Sequence, residues 1–390
     1  MSADSVLRFM GYRRGDGSVG VRNHVLVLSP TGLTSAAAQR IAGLVHGTLA
    51  VTSGFGRGQV GDDAQLHFDT LAGLARNPNV AAVLVVAAAD SITEPYVDVL
   101  RDSGKPVDAL SLPGVHEDAL TLVDRGVRIA ARLVREASRA RREASTLADL
   151  FLAVECGHSD ATSGLVCNPL TGRLAERVVA AGGRAVFSET VEWTGTEHLL
   201  ARRAATPDVA QRIIATVMAR EHAVRESGGD IRAQNPGPQN RTGGLTTIEE
   251  KALGAIAKGG EQPIQGVLRA AERPSRPGLY LMDTPFFSPE SMTAMVAAGA
   301  QMVVFTTGAG NSYCSAIAPT LKMSANRETC ARLREQIDFA ASAVLEGSVP
   351  FDDAAARALD ALLGVASGTL TYGEIVGEGA EVVSRLAPSI

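Results

Sequence analysis

Residues 80–87 read VAAVLVVA, eight apolar positions with no polar alternation. A strand open to water on one face alternates apolar and polar side chains; an unbroken run of this length fits a strand covered on both faces, as in a parallel sheet sandwiched by helices. The flanking sequence agrees. Residues 25–28, 48–52 and 107–112 are further short apolar runs, and residues 36–45, 65–76, 92–103 and 118–142 between and after them carry helical periodicity. Strands alternating with helices mean βαβ units.

A charged stretch rich in alanine, residues 135–145, reads as a solvated helix end and as a domain boundary. A second α/β series follows, with strands predicted over 150–154, 184–187, 278–282 and 302–305 and helices over 172–181, 195–226 and 289–298. The remainder is expected to be mainly helical. The predicted fold class is therefore α/β, with two parallel-sheet domains carrying helices on the sheet faces, residues 1–145 and 146–390. Residues 228–244, polar and rich in Gly, Pro and Asn, form a long irregular segment of the kind usually found at a functional site or left disordered.

The net charge of −5 argues against a nucleic-acid partner, which needs a basic face. No apolar run approaches the length of a membrane helix. Cys156, Cys167, Cys314 and Cys330 show no paired spacing, so neither a disulfide framework nor a structural zinc site is expected, and a cytoplasmic setting is.

Ligands of open α/β sheets bind beyond the carboxyl ends of the strands, so polar clusters after apolar runs mark the candidate sites. After the second strand, residues 53–63 read SGFGRGQVGDD. Arg57 there is a candidate clamp for an anion. Asp62 can contact substrate or serve in the first turn of a helix. The glycine spacing is not that of a dinucleotide-binding loop, which weighs against a nicotinamide-dependent dehydrogenase.

After the strand ending at Val154, ten residues from Glu155 to Gly164 hold a carboxylate, a thiol, an imidazole, a second carboxylate and hydroxyls. Cys156 and Asp160 are candidate catalytic groups and Ser163 a candidate substrate contact; the alternative is a capped turn. After Phe187 come Glu189 and Glu192, three apart and so on one face of a helical turn, with His198 close behind. Two carboxylates and an imidazole suit a divalent ion such as iron(II), manganese or magnesium. First-turn acids facing a helix dipole are the alternative. Arg22, Asn23, Thr306 and Thr307 complete the candidate substrate contacts, and the single lysine in Ala257-Lys258-Gly259-Gly260 is a further cue.

Taken together these segments resemble the altronate/galactarate dehydratase family, including its sulfo-lyase branch. The resemblance rests on Gly20-Val21-Arg22-Asn23, Gly61-Asp62-Asp63, Asn77-Pro78-Asn79, Glu155-Cys156-Gly157, Asn168-Pro169, Ser188-Glu189, residues 243–251, Met282-Asp283-Thr284-Pro285 and Phe305-Thr306-Thr307-Gly308. It implies a lyase that uses a divalent metal, usually Fe(II), to eliminate water from a sugar acid such as altronate or galactarate, or sulfite from 3-sulfolactate, through an enediolate. Under it, Glu189, Glu192 and His198 become metal ligands or acid/base groups. The chain starts at the catalytic part, without the small β-rich module that sugar-acid members carry, so the resemblance implies a separate small β-rich subunit. Expected partners are a small anionic hydroxy acid, that subunit, and further copies of the chain in a homo-oligomer. The sequence departs from the family where cysteines are common, at Leu33, Arg57 and Ala89, and His158 stands where glycine is usual. The rival reading is a non-catalytic α/β binding or regulatory subunit that kept the fold.

Overall fold

The computed structural model describes residues 7–386. The chain enters as an antiparallel hairpin, β1 (Arg8–Arg13) and β2 (Val19–Gly20). A doubly wound unit follows: β3 (His24–Ser29), α1 (Gly32–Leu44), β4 (Thr48–Thr52), α2 (Gly61–Ala75), β5 (Val80–Ala87), α3 (Asp90–Asp102), β6 (Val107–Ser111) and α4 (Ala119–Ala137). Its four strands lie in the order β4-β3-β5-β6, every pair parallel. The long apolar run is β5, central in this sheet. Val83 and Val85 face the core shared with α2 and α3, while Ala82, Leu84 and Val86 face α1 and α4. Burial on both faces is why no polar residue interrupts it.

The charged stretch after α4 does not continue as helix to residue 142. It forms β7 (Glu143–Thr146), which returns to pair antiparallel with β1, an element hidden by its exposed, mostly polar composition.

The second parallel sheet has seven strands. In chain order its elements are β8 (Phe151–Cys156), α5 (Asn168–Ala180), β9 (Arg184–Phe187), α6 (Glu197–Arg202), α7 (Pro207–Glu226), the short helices α8 (Ile231–Gln234) and α9 (Pro238–Thr242), α10 (Ile248–Ile256), β10 (Ile264–Arg269), β11 (Gly278–Asp283), α11 (Ser288–Ala297), β12 (Met302–Thr306), β13 (Thr320–Ser324), α12 (Arg327–Arg332), β14 (Phe339–Ala340), α13 (Ser342–Leu345), α14 (Phe351–Ala366) and α15 (Tyr372–Val376). Strand order is β10-β11-β9-β8-β12-β13-β14. Three of these strands were not expected from sequence. β10 carries Gln265 and Gly266 inside it, and β13 carries a lysine, Lys322, whose side chain is buried. The two-residue β14 is too short to leave a pattern.

The chain builds outward from β8 on one side and returns to lay β12 on the other. That reversal beside β8 is the place where open α/β sheets bind ligands.

One apolar core runs through both halves. α2 meets α11, so that Leu71, Leu74 and Val85 share a cluster with Met292, Met295, Val296 and Val303. The close approach depends on Gly73, where a Cβ would stand 2.4 Å from the Ala297 carbonyl oxygen. Gly73→Val is expected to cost about 1–3 kcal/mol by forcing the helices apart, read as a lower urea midpoint; an unchanged midpoint would show that the helices can part freely. Polar staples reinforce the junction. Asn77 Nδ2 donates to the carbonyls of Val296 and Ala300 at 2.8 and 2.9 Å, and Asn79 Nδ2 donates to those of Gln301 and Ile317 at 2.8 and 3.0 Å. These buried amides bond backbone carbonyls at the end of α11, before β12 and before β13.

Candidate active site

Beyond the carboxyl ends of β8, β9 and β11 lies a cavity of about 410 Å³. Cys156, His158, Glu189, Glu192, Lys251 and Phe286 are among its lining residues. β8 ends in Glu155 and Cys156, both buried. The turn after β9 supplies Glu189 and Glu192, with Glu189 at φ +61°, a left-handed conformation rare for a side chain of this kind and common at functional sites. Its backbone N–H is held by Thr284 Oγ1 at 2.9 Å, and the neighbouring Thr190 hydroxyl donates to Asp283 Oδ1 at 2.5 Å. The tips of β9 and β11 thus fix each other.

The irregular stretch before α10 closes the opposite wall through Gly237, Gln239 and Asn240. His158 also has positive φ, +51°, and its Nδ1 is 2.8 Å from the Gly310 carbonyl oxygen.

Behind Glu192 sits a lysine. Lys258 Nζ is 2.7 Å from Glu192 Oε2, 3.1 Å from Cys156 Sγ and 3.3 Å from Glu155 Oε1, and its side chain is 1% exposed. A second lysine, Lys251, is 3.4 Å from Glu192 Oε1, donates to Asn235 Oδ1 at 3.0 Å and stands 4.2 Å from the centre of the Phe286 ring. Glu155 is further held by Ser188 at 3.1 Å and by Ser291. Three buried carboxyls therefore share two ammonium groups.

Charge balance then requires one carboxyl to keep a proton, and the surroundings select which. Burial raises all three. At Glu192 the attraction of Lys258 and Lys251 outweighs burial and holds it below the usual carboxylate range. At Glu155 burial prevails over Lys258, and it lies above that range. Glu189, pushed up by burial and by the charges of Glu155 and Glu192, lies well above it. Burial, with Glu192 next, likewise pushes the Cys156 thiol up. For Lys258 burial acts to lower its value, but Cys156, Glu192 and Glu155 outweigh it and keep the ammonium charged.

Glu155, Cys156 and Glu192 place ligand atoms within 4.8 Å of one another. Two carboxylates and a sulfur are a donor set that fits a borderline divalent ion. The Lys258 ammonium now stands among these same atoms.

Of the residues singled out in the sequence, the structure brings Cys156, Glu189 and Glu192 together at the cavity. His198 lies exposed on α6 and does not line it. Asp160 is buried one turn away, accepting from Ser163 N at 3.0 Å, the Ser163 hydroxyl at 3.2 Å and Asn326 Nδ2 at 2.8 Å. Thr306 donates to Asn168 Oδ1 at 2.5 Å, and Thr307 Oγ1 accepts from Gly310 N at 3.0 Å. Arg57 and Asp62 are exposed at the carboxyl end of the first sheet. Asn23 Nδ2 donates to the Ala137 carbonyl at 2.8 Å while its Oδ1 accepts from Arg14 at 2.8 Å.

Arg22 is buried in a fork with Glu374, at 2.6 and 2.9 Å, and donates to the carbonyls of Val21, Val365 and Thr369. Arg22→Met is expected to lower stability by about 2 kcal/mol, as loss of charged hydrogen bonds does, and to leave KM unchanged. A raised KM at normal stability would return Arg22 to the substrate.

Sequence reasoning passed over Glu155 and Lys251 as site residues and treated Lys258 only as a cue. The usable signal was a single cation set among small and apolar residues at the end of α10, where solvation gives it no reason to be.

Comparison with known proteins follows this geometry. Residues 147–389 match the family model described as D-galactarate/altronate dehydratase, C-terminal, and residues 11–138 match that described as D-galactarate dehydratase/altronate hydrolase, second domain. The chain belongs to the D-galactarate/altronate dehydratase family. It is 40% identical over 384 residues to the (2R)-sulfolactate sulfo-lyase subunit beta of Chromohalobacter salexigens, covering 98% of both chains. It is 30% identical to the altronate dehydratase of Escherichia coli over 86% of this chain and 69% of that one. With the galactarate dehydratase (L-threo-forming) of Escherichia coli it shares 28% identity, over 92% and 73%. These relatives bear the names of lyases, and this dehydratase-family chain is an enzyme of that class. His158, which the sequence resemblance puts at a position expected to be glycine, has a left-handed φ of +51°, a conformation that glycine adopts without strain. Among the described residues no helix is long and apolar enough to cross a membrane.

Proposed function

We propose that the chain is the catalytic subunit of a sulfo-lyase that eliminates sulfite from 3-sulfolactate and yields pyruvate. The observation that carries the chemistry is Glu189, a buried carboxyl of raised proton affinity that lines the cavity in front of a lysine-neutralised acid cluster. Abstracting a proton beside a carboxylate needs a base of elevated pKa and nearby positive charge for the enediolate. Glu189 is the base and removes the C2 proton. Lys251, at the cavity wall, binds the substrate carboxylate. The C3–S bond breaks, its electron pair leaves with sulfite, and the resulting enol becomes pyruvate. Phe286 and Phe287, partly exposed, give that side of the cavity an apolar lining.

A divalent metal, with Fe(II) the first expectation, would be held by Glu155, Cys156 and Glu192 and would supply Lewis-acid charge. Asp160, Ser163, Thr306 and Thr307 brace the turns behind the cavity, while Arg22 and Asn23 act away from it, on Glu374 and on the Ala137 carbonyl. Sulfo-lyase is favoured over sugar-acid dehydratase because the match to the sulfo-lyase subunit runs end to end. A separate small subunit, and a homo-oligomer of this chain in the cytoplasm, belong to the same proposal.

The test is to incubate the metal-loaded chain with 3-sulfolactate, with and without a co-expressed small subunit, and to measure sulfite and pyruvate. Equal release of both supports the proposal. Silence with sulfolactate alongside dehydration of altronate or galactarate would move the chain to the dehydratase reading.

A further inference from the structure

A second cavity, of about 360 Å³, lies at the opposite edge of the seven-stranded sheet, where β8 and β9 begin. Asp16, Ser18, Asp149, Arg184, Arg273 and Gly299 contribute to its walls. Arg184 opens β9, and Arg273 follows β10. Arg273 Nη2 and Arg184 Nε are buried and have no hydrogen-bond partner, and Arg76 Nε nearby is in the same condition. Buried guanidinium nitrogens are almost always paired, because an unmet donor in the interior costs its full desolvation.

The acids on the cavity wall do not supply the partner. Asp149 accepts from Thr146 N at 2.9 Å in a capping box, and Asp16 accepts from Ser18 N at 2.9 Å and from the Ser18 hydroxyl at 2.6 Å. Cations are in excess. Arg14, Lys105 and Arg273 act electrostatically on Asp16, Arg184 shares the cavity wall, Arg76 adjoins Arg273, and Asp149 already has Arg13 at 3.8 Å. Arg14 spends its donors on the Pro78 and Arg22 carbonyls and on Asn23 Oδ1, and Lys105 on backbone carbonyls, while Arg76, Arg184 and Arg273 have no ion pair among the described residues. The repulsion also lowers the proton affinity of these groups. Burial and Arg76 push Arg273 down to about 10, and burial with Arg14 and Arg273 pushes Lys105 well below its ordinary value.

Gly299, held at φ +107°, lines the cavity beside the guanidinium: a Cβ there would be in ordinary contact, 3.7 Å from Arg273 Cζ.

We propose that this cavity binds a small divalent oxyanion, of the phosphate or sulfite type, on Arg273 and Arg184. Two planar guanidinium forks offer paired N–H donors to tetrahedral or pyramidal oxygens, and two negative charges offset the local excess. The site lies across the sheet from the cavity of Glu189 and touches the turn of the β1–β2 hairpin, so that occupation ties that hairpin to the second sheet.

The experiment is calorimetric titration of the full chain in low-chloride buffer, with inorganic phosphate in one arm and sulfite in the other. It is repeated with Arg273→Gln, Arg184→Gln and, as a control in the other cavity, Lys251→Gln. The expected result is binding of at least one anion, weakened tenfold or more by each arginine substitution and unchanged by Lys251→Gln; the tighter arm identifies the source. Absence of binding in both arms overturns the proposal. So does binding that survives both arginine substitutions, or that is lost only with Lys251→Gln. Because Arg184 and Arg273 come from different elements, a folding defect in one variant leaves the other as the test.

Discussion

Replacing Lys258 with methionine lowers the stability of the chain by about 3–5 kcal/mol and abolishes turnover. The reason is the company this ammonium keeps. It is the nearest positive charge to Glu192, and it also reaches Glu155 and Cys156, all of them buried. Methionine fills the volume but leaves these groups without a counter-charge, and stranding buried charges is the costly half of breaking a buried ion pair. Urea unfolding of the full chain reads the stability, and release of sulfite in the proposed reaction reads the turnover. In a double-mutant cycle, adding Glu192→Gln to Lys258→Met returns part of the lost stability, since it removes one stranded carboxylate. A loss below about 1 kcal/mol for Lys258→Met would mean that water or a metal reaches the cluster and replaces the lysine.

Glu189→Gln lowers kcat by at least about a thousandfold and leaves the protein folded. The amide keeps the shape and the contact to Ser288, which the carboxyl makes at 3.3 Å, but cannot take a proton. Stability is expected to hold or rise at neutral pH. The folded pKa of Glu189 lies above its unfolded value, so its favourable contribution is complete only below the ordinary carboxylate range and is lost as pH rises through the folded value. A neutral amide has no such dependence. In the parent enzyme kcat/KM should climb with pH through that same elevated value, because the base acts ionised. A rate that falls with pH over that window, or near-normal turnover in Glu189→Gln, would remove Glu189 from the role of base.

Much of the architecture could be read from the chain, because burial leaves a pattern. β5 had to be covered on both faces, and the strands of the first sheet alternate with helices in a rhythm few other folds produce. β7, β10 and β13 escaped because their sequences are short, polar or interrupted, and pairing with a neighbour, not composition, makes them strands. The site was legible in part for a related reason. Glu155 to Ser163 and Glu189 to Glu192 follow apolar strands, and chain position alone puts such residues at a carboxyl edge.

Lys258 and Lys251 lie more than fifty residues beyond those turns. Nothing local announces that α10 and the turn after it carry them back to Glu192. The family motifs also divide in a way the sequence does not foretell. Asn77-Pro78-Asn79 and Arg22 clamp the two halves together, whereas Glu189 and Glu192 face a cavity.

The sequence by itself determined the α/β class, the strand tips where polar groups gather and the family, since each depends on local pattern or on residue order. Tertiary structure alone decided which charges meet. Three acids and two lysines, from the end of β8, the turn after β9 and the α10 segment, share one buried space, and in a low-dielectric interior their mutual distances set which carboxyl keeps its proton.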